Sequence, residues 1–245
     1  MLRFLVLTVF TFINYISIKL AGMFGSSYQV ILPIATYAPW LKDKAFLEIY
    51  SRVKSVCLVN IYQCWELWCL IGETGKLDGD VLEVGVFRGA TSGIMGTRIK
   101  QLNSKSTLFC CDTFEGVVKA SVQDNYYVGG EHKDTSMNLV KDLLVQRLGL
   151  ENVVILKGVF PDETSGSITS NTFRFCHIDV DTYQSAKDVL DWIWPKLSVG
   201  GMVVFNDYAY PRTKGVTRLV EERRQEQDGL VMHNLNGNGI IMKIK

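Results

Sequence analysis

Buried strands alternate with helices from residue 80 onward, and this alternation limits the chain to few folds. Five short apolar runs predict strands: DVLEVGV, STLFCCD, NVVILKG, TFRFCHIDVD and GGMVVFND. Between them lie helical segments such as FRGATSGIMGTRIKQL, TSMNLVKDLLVQRLGL and YQSAKDVLDWIWPKL. Strands joined by helices are typical of a parallel sheet with helices on both faces. The closing stretch, LVMHNLNGNGIIMKIK, predicts a hairpin across Asn236–Gly239.

The charge balance and the cysteines exclude some classes of protein. The 245 residues carry 26 basic and 25 acidic side chains, so nothing in the net charge of +1 favours a nucleic-acid partner. None of the six cysteines forms a C-x-x-C pair, and all lie in apolar segments. We therefore expect reduced core thiols, a reducing compartment and a cytoplasmic location.

The first forty residues differ from the rest of the chain. Residues 1–40 form a hydrophobic segment, whereas residues 41–245 contain a helical N-terminal part and all the predicted strands. A basic start and an apolar middle fit a signal peptide, although the motifs below need a cytosolic cofactor. The segment also fits a helical arm that packs on the domain or on a second copy, and a membrane-associating helix. The sequence leaves these readings open.

A glycine-rich turn follows the first predicted strand, in VLEVGVFRGATSG. Gly85 and Gly89 let the backbone turn sharply and approach a ligand closely. Phe87 occupies the position at which a pyrophosphate-binding G-x-G-x-x-G loop has its middle glycine. The pattern therefore favours a ligand without phosphate, with Glu83 suited to an ammonium group. Asp112 ends the next strand, where an acid can accept hydrogen bonds from a ribose diol.

Acids also end two later strands. Asp179 and Asp181 follow one strand, and Asp207 follows the next along the chain. Because the carboxyl ends of parallel strands meet at one edge of a sheet, Asp179 and Asp207 can converge on one cation, with Asp181 near the substrate. The alternative is that Asp181 only caps the following helix. His177 is expected to be a core histidine.

A long polar loop, VKASVQDNYYVGGEHKD at about residues 118–134, separates the second strand from the next helix. Loops of this length are often lids, and this one is expected to cover the acceptor pocket. His132 within it is a candidate second base, or a surface histidine.

Four stretches together resemble one known family. These are GDVLEVGVFRGATS, CDTFEG, HIDVDTYQSAKDVLDWIWPKLSVGGMVVFNDY and NGNGIIMKIK, and over about residues 45–245 they are similar to the macrocin O-methyltransferase family. Members are class I S-adenosylmethionine-dependent enzymes that methylate sugar hydroxyls. The resemblance implies a Rossmann-like, mostly parallel seven-stranded α/β sheet with a C-terminal antiparallel hairpin. It also implies a divalent ion, usually magnesium.

The resemblance also implies roles for individual residues. The cofactor loop would contain Glu83, Gly85, Val86, Phe87 and Gly89, and the ribose and adenine end would be lined by Asp112, Thr113 and Phe114. Asp179, Asn206 and Asp207 would be the metal ligands, and Asp181 the catalytic base. One residue departs from the pattern, because the family usually has two acids before the tyrosine and this chain has Asn206 followed by Asp207.

The expected function is therefore metal-assisted O-methylation of a sugar or a glycosylated metabolite. Two alternatives stay open at this point. One is an NAD(P)-dependent oxidoreductase on a similar sheet, which Phe87 disfavours. The other is a non-catalytic relative that binds the cofactor, which the missing acid at Asn206 keeps open.

Overall fold

The computed structural model describes residues 2–23, 27–28 and 37–245. By their internal contacts the residues form two units, Met1–Lys42 and Asp43–Lys245. The first unit contains helix α1 (Leu2–Met23) and a short 3₁₀ turn at Pro39–Leu41. Among the described residues, no helix combines the length and the apolar character needed to cross a membrane. Membrane association and self-association through α1 stay predictions.

A seven-stranded sheet forms the centre of the second unit. Its strands are β1 (Asp80–Val84), β2 (Leu108–Asp112), β3 (Val153–Lys157), β4 (Phe173–Ile178), β5 (Leu197–Phe205), β6 (Gly229–His233) and β7 (Gly239–Lys243). They lie in the order β3-β2-β1-β4-β5-β7-β6. The first five pair in parallel, and β7 pairs antiparallel with both β5 and β6. The mostly parallel sheet and its antiparallel hairpin are as the sequence predicted.

Helices precede the sheet and connect some of its strands. They are α2 (Lys44–Val53), α3 (Ile61–Thr74), α4 (Ala90–Gln101), α5 (Met137–Lys141), which continues as a π-helical turn to Arg147, α6 (Tyr183–Ile193) and α7 (Lys214–Arg223). Helices α2, α3 and α4 pack against one another, as do α6 and α7. Side chains set two of the starts: Asp43 accepts from the Phe46 N–H at 2.9 Å, and Asn60 caps α3 in the same way.

The apolar runs recognised in the sequence form the core. Every residue of β4 is buried, and so is every residue of β1 except the first, as expected for strands covered on both faces. All six cysteines are free thiols, and four of them are buried. These four therefore lie in the core, as the sequence predicted.

Candidate functional site

A cavity of about 560 Å³ opens at the carboxyl edge of the parallel strands. Open α/β sheets bind ligands in this place, where the loops after the strands meet. Its walls come from the loops after β1, β2, β3, β4 and β5, from residues 56–59 and 63 before and within α3, from the 116–132 loop and from residues 210–213. The strand-end residues singled out in the sequence are thus brought to one edge of the sheet.

The glycine-rich turn after β1 (residues 85–89, the glycine loop) forms one wall of the cavity. Gly85 has a φ of +90°, and a Cβ built on it would lie 1.7 Å from the carbonyl oxygen of Asp179. Only glycine fits there, because its neighbour is backbone and cannot move aside. Phe87 also adopts a positive φ, of +50°.

Asp112, at the end of β2, holds the glycine loop in place. One carboxylate oxygen accepts the backbone N–H groups of Val86 and Phe87, both at 2.8 Å, and the other accepts that of Phe114 at 2.6 Å. Burial raises the pKa of Asp112, while these three N–H groups oppose the rise. Asp112 therefore links the loops after β1 and β2 and also faces the cavity.

The eight residues expected to bind the cofactor divide into two groups. Five line the cavity: Gly85, Val86, Phe87, Asp112 and Thr113. Glu83, Gly89 and Phe114 do not lie on its wall. Glu83 is fully buried, accepts a hydrogen bond from Ser92, and has an oxygen 2.9 Å from Nδ1 of His177. An ammonium-binding role does not fit Glu83, because both of its oxygens are engaged inside the protein.

The acids after β4 and β5 (Asp179, Asp181 and Asp207, the acid cluster) also line the cavity. Ile178 and Phe205 pair at the ends of these strands, and the Asn206 N–H donates to the Ile178 carbonyl at 3.0 Å, so the parallel ladder extends into the loops. Asp207 lies close enough to Asp179 and Asp181 for the charges of both to raise its pKa.

Burial and mutual repulsion both disfavour the ionised form of the carboxyl groups in the acid cluster. Burial, followed by the charges of Asp181 and Glu83, raises the pKa of Asp179 to about 8. Burial and the two neighbouring aspartates raise the pKa of Asp207 well above its ordinary value, and burial also raises that of Asp181. Asp207 Oδ2 is buried and, among the described residues, has no hydrogen-bond partner. A proton or a cation between these carboxyls would stabilise them.

This donor set fits a cation held by two carboxylates. Asp179 and Asp207 supply the oxygen ligands that magnesium prefers, and magnesium often takes one or two carboxylates with water and substrate. Asn206, the third expected ligand, donates its Nδ2 to Asp179 Oδ1 at 3.1 Å, and its own oxygen accepts from Gln63 at 2.9 Å. Within the described ranges, no three His, Cys, Asp or Glu side chains are arranged to hold a metal.

The loop at residues 118–134 contributes to the cavity and contains a site residue that the sequence did not single out. Tyr127 and Asp181 both line the cavity, and burial, followed by the negative charge of Asp181, raises the pKa of Tyr127. His132 lines the cavity beside Tyr127, with Nε2 3.5 Å from the Tyr127 hydroxyl. The aromatic pair in NYYVGG was the available signal, but nothing in the sequence indicated which ring faces the acids.

Several contacts attach this loop to the rest of the domain. Asp124 accepts the backbone N–H of Tyr183, at the start of α6, at 2.9 Å. Lys119 forms ion pairs with Asp162 at 2.7 Å and with Asp188 at 2.6 Å. The loop is therefore anchored next to the start of α6, which follows Asp181 in the chain.

The known proteins to which this chain is similar are named as O-methyltransferases. The demethyldecarbamoylnovobiocin O-methyltransferase of Streptomyces niveus is 32% identical over 162 residues, which are 62% of this chain and 59% of that protein. The 8-demethyl-8-(2,3-dimethoxy-alpha-L-rhamnosyl)-tetracenomycin-C 4'-O-methyltransferase of Streptomyces olivaceus is 30% identical over 196 residues, 76% of this chain and 72% of that protein. The chain thus spans less than two thirds of the first relative.

A solved structure has the same fold. The O-methyltransferase NovP superposes with a TM-score of 0.66 at 21% identity, over 76% of this chain and 81% of that one. The sequence model of the Macrocin-O-methyltransferase (TylF) family matches residues 61–236. That match runs from the first residue of α3 into the turn between β6 and β7, and includes the glycine loop and the acid cluster. The chain belongs to the macrocin O-methyltransferase family.

Proposed function

We propose that this protein transfers a methyl group from S-adenosylmethionine to a hydroxyl group of a sugar or a glycosylated metabolite. One observation carries the proposal: the glycine loop held by Asp112 and the acid cluster face the same cavity of about 560 Å³. Methyl transfer from a sulfonium is an in-line displacement, which requires donor and acceptor to be held together in one space. The cavity is within the range of about 300–1,000 Å³ that small-molecule sites occupy.

The cofactor half of the cavity would be formed by the glycine loop and the end of β2. The absence of a Cβ at Gly85 leaves the backbone free to approach a ligand. Asp112 would accept from the ribose hydroxyls while its bonds to Val86 and Phe87 keep the loop in place. The Phe87 side chain stands where a dinucleotide-binding loop would need glycine, which favours a ligand without pyrophosphate.

The acceptor half would be formed by the acid cluster and the 118–134 loop. Asp181 lines the cavity together with one hydroxyl group, that of Tyr127, whose pKa its negative charge raises. An acceptor hydroxyl in a comparable position could give its proton to Asp181 as its oxygen attacks the methyl group. The relatives support a sugar as the acceptor class, since the name of one of them includes a rhamnosyl-bearing substrate.

Asp179 and Asp207 would hold a divalent cation, for which magnesium is our candidate. When bound, such a cation would supply positive charge that acidifies the acceptor hydroxyl. The cation would also offset the mutual repulsion of the two carboxylates when they share no proton. Asp207 Oδ2, buried without a partner among the described residues, is the observation that favours this role.

Calorimetric titration with S-adenosylmethionine, S-adenosylhomocysteine and NADH tests the cofactor. We expect the first two to bind and NADH not to bind; binding of NADH alone would contradict the proposal. A panel of glycosides with methyl-labelled cofactor then tests the transfer, with product detected by mass spectrometry. The panel is run with a chelator and with magnesium restored. Label in no glycoside would argue against the acceptor class, and turnover unchanged by chelation would exclude the cation.

A further inference from the structure

A chain of side-chain amides connects the start of α3 to Asp179. Its members are Asn60, Gln63 and Asn206, and Asn238 joins it from the turn between β6 and β7. Each of these amides has one oxygen and one NH₂ group, so its orientation decides whether it offers an acceptor or a donor. The orientation of Asn206 decides what this residue can do for the acid cluster.

The first constraint comes from the helix start. Asn60 Oδ1 accepts the backbone N–H groups of Tyr62 and Gln63 at 2.9 and 3.0 Å, so the oxygen of Asn60 must face the helix. Its NH₂ group therefore donates to Gln63 Oε1, at 2.6 Å. That leaves the NH₂ group of Gln63 to donate to the oxygens of Asn206 and Asn238, at 2.9 and 3.1 Å.

The hydrogen bonds of Glu66 independently require the same orientation of the Gln63 amide. The Glu66 carboxylate accepts from the NH₂ groups of Asn234, Asn236 and Asn238. An ionised carboxylate can only accept, so the oxygen of Asn238 must face away from it, towards Gln63. Gln63 is 3% exposed, and Asn238 is fully buried. Because both side chains are shielded from bulk solvent, reversing either amide would cost hydrogen bonds that bulk water does not readily replace.

We propose that Gln63 is a positioning residue that holds the Asn206 amide with its NH₂ group on Asp179, so that Asn206 is a hydrogen-bond donor to the acid cluster and not an oxygen ligand of a cation. The inference rests on the proposed function and corrects one part of it, the ligand role expected for Asn206. At the position where the family usually has an acid, this chain has Asn206. The site therefore carries one negative charge fewer and one hydrogen-bond donor more. The donor restrains the Asp179 carboxylate that would hold the cation.

A double-mutant cycle on turnover tests this role. Gln63→Met keeps the length of the side chain and removes its polar atoms, and we expect kcat to fall about tenfold while KM for S-adenosylmethionine stays unchanged. In an Asn206→Asp background the same substitution should change kcat by less than about twofold, because a carboxylate has two equivalent oxygens and no orientation to set. Equal losses in both backgrounds would show a merely structural role and overturn the proposal. The matched control is Gln101→Met, on the exposed end of α4.

A second measurement does not depend on activity. The Asn206 side-chain amide signals in a ¹H–¹⁵N spectrum are identified by their loss in Asn206→Asp. We expect their exchange with deuterium to be slow in the unsubstituted protein and about tenfold faster in Gln63→Met, but unchanged in Gln101→Met. Fast exchange in the unsubstituted protein would overturn the positioning role. Absence of methyl transfer with slow exchange would instead contradict the proposed function alone.

Discussion

Gly85 and Asp179 approach so closely that a Cβ on the glycine would lie 1.7 Å from the aspartate carbonyl oxygen. The first belongs to the loop expected to hold the cofactor, and the second to the acid cluster. The two halves of the site therefore meet backbone to backbone, without an intervening side chain. The distance between them is set by the adjacent strands β1 and β4, where Asp179 N–H donates to the Val84 carbonyl at 2.9 Å.

Gly85→Ala should therefore destabilise the protein and disrupt the cavity. We expect a loss in the free energy of unfolding of more than about 3 kcal/mol, because the clash is added to the cost of a positive φ. Denaturant unfolding measures it. The control is Gly130→Ala, at a φ of +83° with nothing within 4 Å of the added Cβ, where only about 1–2 kcal/mol of backbone strain is expected. Equal losses at the two positions would contradict the contact.

Asp112→Asn should weaken cofactor binding. Asparagine keeps one acceptor oxygen, so at least one of the N–H groups of Val86, Phe87 and Phe114 loses its partner and the glycine loop is held less firmly. We expect the Kd for S-adenosylmethionine to rise about tenfold or more, measured by calorimetry. Asp80→Asn is the control, since Asp80 accepts the Thr107 N–H at 2.6 Å at the opposite edge of the sheet. A similar effect of both substitutions would indicate a general loss of stability.

Asp181→Asn should abolish most turnover while cofactor binding persists. Asp181 has a φ of +65°, which asparagine tolerates well, so the backbone should keep its shape. Loss of a general base lowers kcat by about a hundredfold or more. The comparison variant is Asp191→Asn, which removes an exposed acid paired with Lys187 on α6. Asp181 would be excluded as the base if kcat stayed the same.

Tyr127→Phe should affect the acceptor and not the cofactor. The substitution removes the hydroxyl that shares the cavity wall with Asp181 and keeps the ring. We expect kcat/KM for the acceptor to fall about tenfold, the size expected for the loss of one polar contact in the acceptor half of the site. Tyr126→Phe, the same change at the neighbouring half-exposed ring, should leave it unaltered. Equal effects at both tyrosines would contradict a specific role for the Tyr127 hydroxyl.

The sequence predicts the site well where backbone topology alone decides it. Asp112, Asp179 and Asp207 each follow a buried strand, and parallel strands bring their carboxyl ends to one edge whatever the side chains do. The glycine loop is recognised for the same reason, because the turn from β1 into α4 needs glycine at residue 85. The strand order alone therefore brings these residues together.

The sequence predicts less well where packing decides. Glu83 lies in β1 on the face that packs against Ser92 and His177, and strand periodicity does not show which polar residue of a buried strand faces a cavity. Tyr127 is placed by contacts of its loop with α6 and with residues 211–214, which are far away in the chain. The orientation of Asn206 depends on Gln63, 143 residues earlier. No local pattern contains that information.

The hydrogen bonds between Glu66 and the β6–β7 turn have a consequence for the order in which the site forms during synthesis. Glu66 pairs with Asn234, 168 residues later, and with its neighbours Asn236 and Asn238. At synthesis rates of about 5–20 residues per second, α3 leaves the ribosome roughly ten to thirty seconds before its partners exist. Asn206 is translated within the same interval, and Asn238 follows it in the final hairpin. The buried network that joins Glu66, Gln63 and Asn206 is therefore complete only when that hairpin has been translated and docks.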